Sequence, residues 1–367
     1  MVVIGAGVVG LSCAWRLARS GARVRVLERG EAGSGATGVA AGMIAPVGES
    51  NWGEEALVAE ALRSHAAWPQ FARELADDAG TDPGLTQCGA LHVALDRDEL
   101  AELRRRFDLT VSLGLEASWR RSREARKIEP SLSPGVVGAI HAPSEAAIDP
   151  PTLIGALLAA AKAFGAEVIE SCEVVEAILD GERLTGVRDR EGIEHRAPVS
   201  VIATGAWSGA AGWLPERARP AVRPVKGQIL VLRDRSGRAA CGGIVASERV
   251  YLVPRGDGRV IVGATVEEMG FDTTVTAGGV HELLREAYRA MPEVAEMELV
   301  ACNAGLRPGT PDNAPLVGPG ELEGLIVATG HYRHGVLLGP VTAERVVELA
   351  GSANSSAGES LAGSVGR

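Results

Sequence analysis

The 367-residue chain is long enough to form two domains, or one domain with a large insertion. Its net charge of −10, without any cluster of basic residues, argues against nucleic acid and anionic membrane surfaces as partners. Five cysteines are scattered without a C-x-x-C pair, and no apolar run is long enough to span a bilayer. These features predict a cytoplasmic protein with reduced thiols, no metal site and no membrane contact.

The chain begins with an apolar, β-branched strand that leads into three glycines and then into a helix over residues 9–20. The strand residues are Val2, Val3 and Ile4, and the glycines, at G-x-G-x-x-G spacing, are Gly5, Gly7 and Gly10. In this motif the first glycine permits a tight turn, the second lets the backbone approach a pyrophosphate, and the third lets helix and strand pack closely. Free N–H groups at the helix N-terminus can then bind phosphate. This stretch therefore predicts a dinucleotide site.

A second strand over residues 24–27 ends at Glu28. An acidic side chain about 20 residues after the glycines is placed to accept hydrogen bonds from a ribose hydroxyl, as the dinucleotide fingerprint requires. The same carboxylate would repel a 2′-phosphate, so the pattern argues against NADP.

Residues 34–43 form a run of small side chains directly after this strand. Small residues let the backbone approach a bulky planar ligand closely. The alternative is a flexible linker of the Gly/Ser type. We favour the ligand interpretation because Ala41, Met43 and Ile44 are too apolar for a solvated linker and lie next to the phosphate site.

The remaining pattern alternates helices and strands. Apolar residues at helical spacing predict helices over residues 54–76, 99–107 and 341–349, and a further helix that follows Asp149 and runs to Phe164. Strands are predicted over residues 90–95, 167–169, 174–179, 184–188, 199–205, 228–232, 250–254, 260–264 and 325–329. From residue 225 the strands alternate polar and apolar residues, which is typical of an antiparallel sheet with one solvated face. Residues 351–367 are rich in Gly, Ser and Ala and are predicted to be disordered.

We therefore predict an α/β protein with a Rossmann-like dinucleotide-binding domain built on a parallel sheet, and a second α+β domain built on a mixed or antiparallel sheet. The first domain is predicted to be discontinuous in sequence. It would comprise residues 1–80, 135–218 and 302–350, and the second domain would comprise residues 81–134 and 219–301.

Five further motifs suggest a family. They are residues 40–43 (Ala-Ala-Gly-Met), 224–228 (Pro-Val-Lys-Gly-Gln), 251–255 (Tyr-Leu-Val-Pro-Arg), 305–310 (Gly-Leu-Arg-Pro-Gly-Thr) and 330–335 (Gly-His-Tyr-Arg-His-Gly). With the N-terminal fingerprint, they make the chain resemble the FAD-dependent amino acid oxidases of the D-amino acid oxidase group from Val2 to about Leu349. Within that group it is most similar to the glycine oxidases of thiamine biosynthesis.

The resemblance implies oxidation of glycine, sarcosine and small D-amino acids to imino acids, with molecular oxygen reduced to hydrogen peroxide. It also implies contacts with FAD at Val8, Val9, Glu28, Arg29, Ala36, Thr37, Ala41, Gly42, Met43, Val174, Gly205, His331, Tyr332, Arg333, His334, Gly335, Val336 and Leu337. Family members with covalently held flavin use a cysteine where this chain has Gly305, so noncovalent FAD is expected. Ala36 stands where a hydroxyl residue is common.

Substrate contacts are implied at Tyr251, Arg307 and Arg333. A carboxylate substrate calls for an arginine, whose planar fork binds both oxygens, and a tyrosine hydroxyl can add a further bond. The alternatives are a solvated loop arginine at each arginine position and an ordinary strand aromatic at Tyr251. Two isolated histidines, His331 and His334, are weak indicators of acid–base chemistry or of a metal.

Two other functions remain open from the sequence. One is an FAD-dependent D-amino acid dehydrogenase that passes electrons to a quinone or a partner, and the other is a non-catalytic flavin-binding subunit. Self-association into a homo-oligomer also stays open. In the oxidase interpretation the imino acid would supply the thiazole of thiamine.

Overall fold

The computed structural model describes residues 1–50, 52–236 and 240–363. Its helices are, in chain order, α1 (Val8–Arg19), α2 (Glu55–Ala79), α3 (Arg97–Ser112), α4 (Ser122–Ile128), α5 (Pro150–Ala163), α6 (Ala277–Ala290) and α7 (Gly339–Gly363). Its strands are β1 (Val2–Ile4), β2 (Arg25–Leu27), β3 (Met43–Ile44), β4 (Ala90–Ala94), β5 (Ser118–Arg121), β6 (Gly138–Ala142), β7 (Ala146–Ala147), β8 (Glu167–Ile169), β9 (Val174–Asp180), β10 (Arg183–Asp189), β11 (Glu194–Arg196), β12 (Ser200–Ile202), β13 (Arg223–Arg233), β14 (Ile244–Ala246), β15 (Tyr251–Pro254), β16 (Arg259–Gly263), β17 (Glu298–Gly309), β18 (Leu316–Pro319) and β19 (Leu325–Thr329). None of the helices in this part of the chain is both long and apolar enough to cross a bilayer.

A six-stranded sheet is built around the N-terminal strand, in the order β18-β19-β12-β1-β2-β8. Every neighbouring pair is parallel except β18 and β19. Val3 lies at the centre, beside Val26 on one side and Val201 on the other, and all three are fully buried. The parallel sheet predicted from the apolar, β-branched strand residues is confirmed.

Helix α1 covers this sheet through the face that its sequence spacing predicted. Leu11, Trp15 and Leu17 are buried, and the helix packs against α5 and α7 in the same apolar cluster. The loop from β1 to α1 can be tight because Gly5 has a φ of +103°, a conformation that side chains rarely allow. The strand, the glycine turn and the helix therefore form the nucleotide-binding unit that the motif indicates.

An eight-stranded sheet forms the second part, in the order β17-β13-β16-β15-β14-β4-β6-β5. Its pairs are antiparallel apart from β14 with β4, so the sheet is mixed, as predicted. The unpredicted helix α6 packs on it, and its Leu283 and Ala287 share a buried cluster with Leu230 and Leu252.

Two strands lie on the other side of the predicted domain limits. The sequence grouped residues 135–218 and 302–350 with the dinucleotide-binding domain, but β6 and β17 belong to the eight-stranded sheet. The physical reason is their pairing: β6 lies between β4 and β5, and β17 pairs with β13 from Arg233 opposite Glu298 to Arg223 opposite Gly309. The two-domain division otherwise remains a proposal. Helix α7 continues to Gly363 through the segment predicted to be disordered, and residues 364–367 lie outside the described residues.

Candidate active site

The residues predicted for the site come together around one cavity of 420 Å³. Its walls include the carboxyl ends of β1, β2, β12 and β19, where ligands bind in open α/β sheets, and residues of β13, β15 and β17 from the other sheet. Of the predicted residues only Gly10 is missing from the lining, which includes Gly5, Gly7, Val8, Val9, Glu28, Arg29, Ala36, Thr37, Ala41, Gly42, Met43, Val174, Gly205, Tyr251, Arg307, His331, Tyr332, Arg333, His334, Gly335, Val336 and Leu337.

Each glycine of the N-terminal motif meets a different steric requirement. A Cβ at Gly5 would lie 2.5 Å from the Ala203 carbonyl oxygen, and a Cβ at Gly10 would lie 2.0 Å from the Gly5 carbonyl oxygen. These two glycines therefore allow close packing of the protein itself. A Cβ at Gly7 would meet only the Thr37 hydroxyl, at 3.4 Å, so this position faces the cavity. The distinction matches the motif, in which the middle glycine makes room for the ligand.

Glu28 is held rigidly at the end of β2. Its Oε2 accepts a hydrogen bond from the Ala6 N–H at 2.8 Å, and its Oε1 accepts one from the Gly30 N–H at 2.9 Å. The two bonds fix the carboxylate where it lines the cavity while each oxygen keeps a free lone pair. The geometry fits a group that accepts hydrogen bonds from ribose hydroxyls.

The small-residue run forms an ordered wall and not a flexible linker. The Thr37 hydroxyl accepts a hydrogen bond from the Val8 N–H at 3.1 Å, which ties the run to the start of α1. The Ala41 carbonyl accepts one from Arg255 Nη2 at 2.6 Å, and the Arg255 Nε contacts the Asp149 carboxylate at 3.0 Å. Backbone groups of the cavity wall are therefore fixed by two side chains, Thr37 and Arg255, and Arg255 is itself held by Asp149.

At the far end of the cavity Arg29 lies over the ring of Trp207, with its guanidinium carbon 3.8 Å from the ring centroid. Trp207 also stacks on Phe271, with the two centroids 5.9 Å apart. Trp207 lines the cavity beside Gly205 and Val174. Sequence reasoning missed the aromatic stack because Phe271 lies far from Trp207 along the chain.

Cys172 lies beside this end of the cavity in a compact group with Asp189 and His195, which the sequence did not suggest. Their ligand atoms lie within 4.8 Å of one another, a separation that a metal ion could bridge. The His195 Nε2 is 2.9 Å from the Asp189 Oδ2, and the Cys172 Sγ donates to the same oxygen at 3.5 Å. Burial and the bond to Asp189 raise the pKa of the Cys172 thiol to about 11. The three side chains thus satisfy one another by hydrogen bonding.

The loop that precedes α7 supplies two buried histidines to the cavity. His331 Nε2 is 2.9 Å from the Thr342 hydroxyl, and burial lowers the pKa of His331 to about 3. Burial also lowers the pKa of His334, although the charge of Glu49 opposes this shift. No hydrogen-bond partner of either His334 ring nitrogen lies among the described residues. Both rings are therefore neutral near pH 7, and His334 presents a donor and an acceptor to the cavity.

Arg307 and Tyr251 form the candidate substrate-binding pair. Arg307 Nη1 donates to the Thr265 carbonyl at 3.1 Å and to the Lys226 carbonyl at 3.4 Å. These neutral acceptors orient the guanidinium without neutralising it. Burial raises the pKa of the Tyr251 phenol, against the opposing charge and hydrogen bond of Arg307. The structure therefore places a cation and a protonated hydroxyl side by side on the cavity wall, as a carboxylate requires.

Glu49 is another residue of the site that sequence reasoning missed. Its Oε2 lies 3.1 Å from Arg333 Nε and 4.0 Å from His334 Nδ1. Burial raises the pKa of Glu49, but the charge of Arg333, supported by Arg307, outweighs this effect and the net pKa is lowered. The carboxylate is ionised and compensates the charge of Arg333. No motif surrounds Glu49, so only the fold brings it to the cavity.

FAD fits these residues by three observations. A Cβ at Gly205 would meet no atom within 4 Å and one at Gly7 would meet a single hydroxyl, so space is open where a cofactor must approach the backbone. The Glu28 carboxylate lines the cavity and can accept further hydrogen bonds, as binding of a ribose requires. A Cβ at Gly305 would lie 2.1 Å from Val39, which leaves no room there for a cysteine side chain. Cys302 does not line the cavity, and noncovalent attachment of FAD stays a prediction.

Comparisons with known proteins agree with this geometry. A family model described as DAO, FAD dependent oxidoreductase, matches residues 1–349. The glycine oxidase of Geobacillus kaustophilus is 35% identical over 351 residues, covering 95% of this chain and 92% of that protein, and its crystal structure superimposes with a TM-score of 0.87. The bifunctional protein ThiO/ThiG of Trichormus variabilis is 33% identical over 95% of this chain, which spans 52% of that protein. The crystal structure of iminodiacetate oxidase from Chelativorans sp. BNC1 is 27% identical, with a TM-score of 0.86 over 96% of this chain and 95% of that one.

Proposed function

Because the chain belongs to the DAO family of FAD-dependent oxidoreductases, we propose that it oxidises glycine, and also sarcosine and small D-amino acids, with molecular oxygen as the electron acceptor. For glycine the balanced reaction converts glycine, O2 and water to glyoxylate, ammonia and hydrogen peroxide, by way of the imino acid. The similarity to glycine oxidase and to ThiO/ThiG supports this substrate class. It also supports a role for the imino acid as a supply for the thiazole of thiamine.

The observation that carries the proposal is the pairing of Arg307 with Tyr251 on the cavity wall. Arg307 is oriented by two neutral carbonyls and so keeps its charge for a ligand. A guanidinium binds a carboxylate through two parallel hydrogen bonds, and the Tyr251 hydroxyl can donate a third. An α-amino acid bound in this way has its α-carbon and amine at a fixed distance from the Arg307 guanidinium and the Tyr251 hydroxyl.

We assign the binding of FAD to the G-x-G-x-x-G loop, Glu28, the wall around Thr37 and the loop before α7. FAD supplies the two-electron oxidation, which no side chain can perform. The protein contributes orientation and an apolar enclosure. Tyr251 acts as a hydrogen-bond donor, because its raised pKa keeps the phenol protonated at neutral pH. The neutral His331 and His334 add no positive charge to the loop, so Arg333 is its cation.

A screen for peroxide formation tests the proposal against its alternatives. Purified protein in air is given glycine, sarcosine, D-alanine and L-alanine, and peroxide is measured with a coupled peroxidase. We expect turnover of the first three and little with L-alanine. The same substrates are then added without air while the visible flavin absorbance is recorded.

Three outcomes are distinguished. Bleaching of the flavin together with peroxide formation in air supports the oxidase. Bleaching without air, but slow peroxide formation and rapid reduction of an added quinone, would indicate the D-amino acid dehydrogenase. A flavin that no amino acid bleaches would indicate a non-catalytic flavin-binding subunit and would contradict the proposal.

A further inference from the structure

Glu49 and Arg333 form an ion pair on the wall of the substrate cavity. The Glu49 Oε2 lies 3.1 Å from Arg333 Nε, and the side chains are 13% and 35% exposed. Both residues line the same cavity as Arg307 and Tyr251. The Glu49 carboxylate is therefore shielded from solvent, while the Arg333 side chain stays about one third exposed at the cavity wall.

The surroundings of this pair are otherwise positive. Arg106 and Arg307 both lower the pKa of the Glu49 carboxyl and help to keep it ionised. His334 acts in the same direction when it is protonated, but burial lowers its own pKa. Arg106 donates hydrogen bonds to the carbonyls of Val47 and Gly48, the two residues that directly precede Glu49. One carboxylate therefore faces three arginines, of which Arg333 is its direct partner.

We propose that Glu49 is a specificity-determining residue, which restricts this site to substrates with one carboxylate by occupying Arg333. The inference rests on the proposed function, in which Arg307 binds the α-carboxylate. Without Glu49, the cavity would present a second free guanidinium, and a diacid could bind through both of its ends. With Glu49 in place, the second carboxylate of a diacid meets a like charge, which disfavours binding.

The similarity to iminodiacetate oxidase suggests a test compound, since that protein is named for a substrate with two carboxylates. Iminodiacetate is sarcosine with a second carboxylate in place of a methyl hydrogen. The ratio of kcat/KM for iminodiacetate to kcat/KM for sarcosine therefore isolates the effect of the second charge. The wild type is expected to favour sarcosine strongly.

The decisive variant is Glu49→Gln, which keeps the shape and a carbonyl acceptor for Arg333 but removes the negative charge. We expect the iminodiacetate-to-sarcosine ratio to rise about tenfold or more, the effect of gaining one charge-assisted hydrogen bond. Glu49→Asp keeps the charge and should keep the preference of the wild type. In the double variant Glu49→Gln/Arg333→Leu the iminodiacetate-to-sarcosine ratio should return toward that of the wild type, because the guanidinium that would bind the second carboxylate has been removed.

Glu54→Gln is the matched control. Glu54 also acts electrostatically on His334, but it binds Asn313 at 3.0 Å and does not line the cavity. Its removal changes the net charge equally and should leave the substrate ratio unchanged. An equal rise in Glu54→Gln would show a general charge effect and overturn the inference.

A binding measurement separates this inference from the proposed function. Glutarate has the length of iminodiacetate and no amine to oxidise, and butyrate has one carboxylate fewer. Titration of the flavin-loaded proteins with each acid, followed by calorimetry, should show glutarate binding about tenfold tighter in Glu49→Gln than in the wild type, with butyrate nearly unchanged. Unchanged glutarate binding would contradict the role of Glu49. A wild type that oxidises no amino acid would instead contradict the proposed function.

Discussion

Gly227 lies directly against the guanidinium of Arg307, so closely that a Cβ at position 227 would be 2.3 Å from Nη1 and 2.4 Å from Nη2. The two residues lie on neighbouring antiparallel strands, β13 and β17. The carbonyl of Lys226, next to Gly227, accepts a hydrogen bond from the same Nη1. The position of the cationic group therefore depends on a missing side chain on the adjacent strand.

Gly227→Ala should displace the Arg307 guanidinium while leaving the fold intact, because the atoms that must move are the end of a flexible side chain. We expect KM for glycine to rise about tenfold, the effect of losing one charge-assisted hydrogen bond. Gly155→Ala, where a Cβ would meet no atom within 4 Å, is the control. A Gly227→Ala protein with normal KM and unchanged Tm would show that the exact position of Arg307 does not matter.

Gly7→Val should yield protein without flavin. The backbone at Gly7 has a φ of −76° and a ψ of 179°, which valine adopts readily, so the change should not strain the fold. The new side chain would instead project into the cavity at the phosphate loop. The flavin-to-protein ratio after purification and the Tm of the apoprotein are the measurements. Full flavin content in this variant would refute the phosphate-loop assignment.

Tyr251→Phe should weaken substrate binding while flavin content stays the same. The proposed bond to the substrate is lost, with a net effect of about 0.5 to 1.5 kcal/mol, and the bond between the phenol and Arg307 is lost with it. The value of kcat/KM for glycine should therefore fall about 2- to 13-fold or more. Steady-state kinetics with a spectral titration of substrate binding without air make the comparison. Complete loss of oxidation with normal substrate binding would mean that the phenol takes part in proton transfer, contrary to its role as a donor.

His331 should make the folded state sensitive to acid. Its pKa is lowered from 6.5 to about 3 by burial, so between these values the unfolded chain binds a proton that the folded chain does not. Titration of His331 therefore leaves the free energy of unfolding unchanged above pH 6.5. Between pH 6.5 and pH 3 it lowers this free energy by about 1.4 kcal/mol for each pH unit that the pH drops.

Urea unfolding of the wild type and of His331→Gln at pH 7 and pH 5 tests whether the free energy of unfolding falls as the pH drops. The glutamine cannot titrate but can still form a hydrogen bond with the Thr342 hydroxyl. The loss of stability between the two pH values should be about 2 kcal/mol smaller in the variant than in the wild type. His281→Gln, at an exposed position, should behave as the wild type. The same pH dependence in wild type and His331→Gln would rule out a neutral buried His331.

The dinucleotide-binding part could be predicted because its signals are local. An apolar strand, three glycines and an amphipathic helix follow one another within 20 residues. The structure shows the buried strand, the helix and the close contacts at the glycines that the motif predicts. Strand β17 could not be predicted in this way. Its sequence contains Gly305, Pro308 and Gly309, which usually indicate loops, and only pairing with β13 along its length makes it a strand.

Site residues without a local sequence signal could not be predicted either. Arg307 and Tyr251 were identified through their motifs, but nothing near Glu49 in sequence marks it as a partner of Arg333, some 280 residues later. The contact arises when the loop after β3 meets the loop before α7. Likewise Cys172, Asp189 and His195 lie on separate segments that only the small sheet of β9, β10 and β11 brings together.

Arg307 is proposed to bind the carboxylate of an amino acid substrate through two hydrogen bonds. In Arg307→Ala the substrate carboxylate loses its bidentate partner in an enclosed site, which should cost about 3 kcal/mol or more, or at least a hundredfold in kcat/KM for glycine. Arg307→Lys should recover only part, because an ammonium carries the charge without the planar fork.

The measurement that tests this most directly is the ratio of kcat/KM for glycine to kcat/KM for methylamine, which is glycine without its carboxylate, in the wild type and in Arg307→Ala with equal flavin content. We expect this ratio to fall at least about a hundredfold in the variant, since methylamine has no carboxylate for Arg307 to bind. An unchanged ratio with FAD still bound would show that Arg307 does not bind the substrate carboxylate.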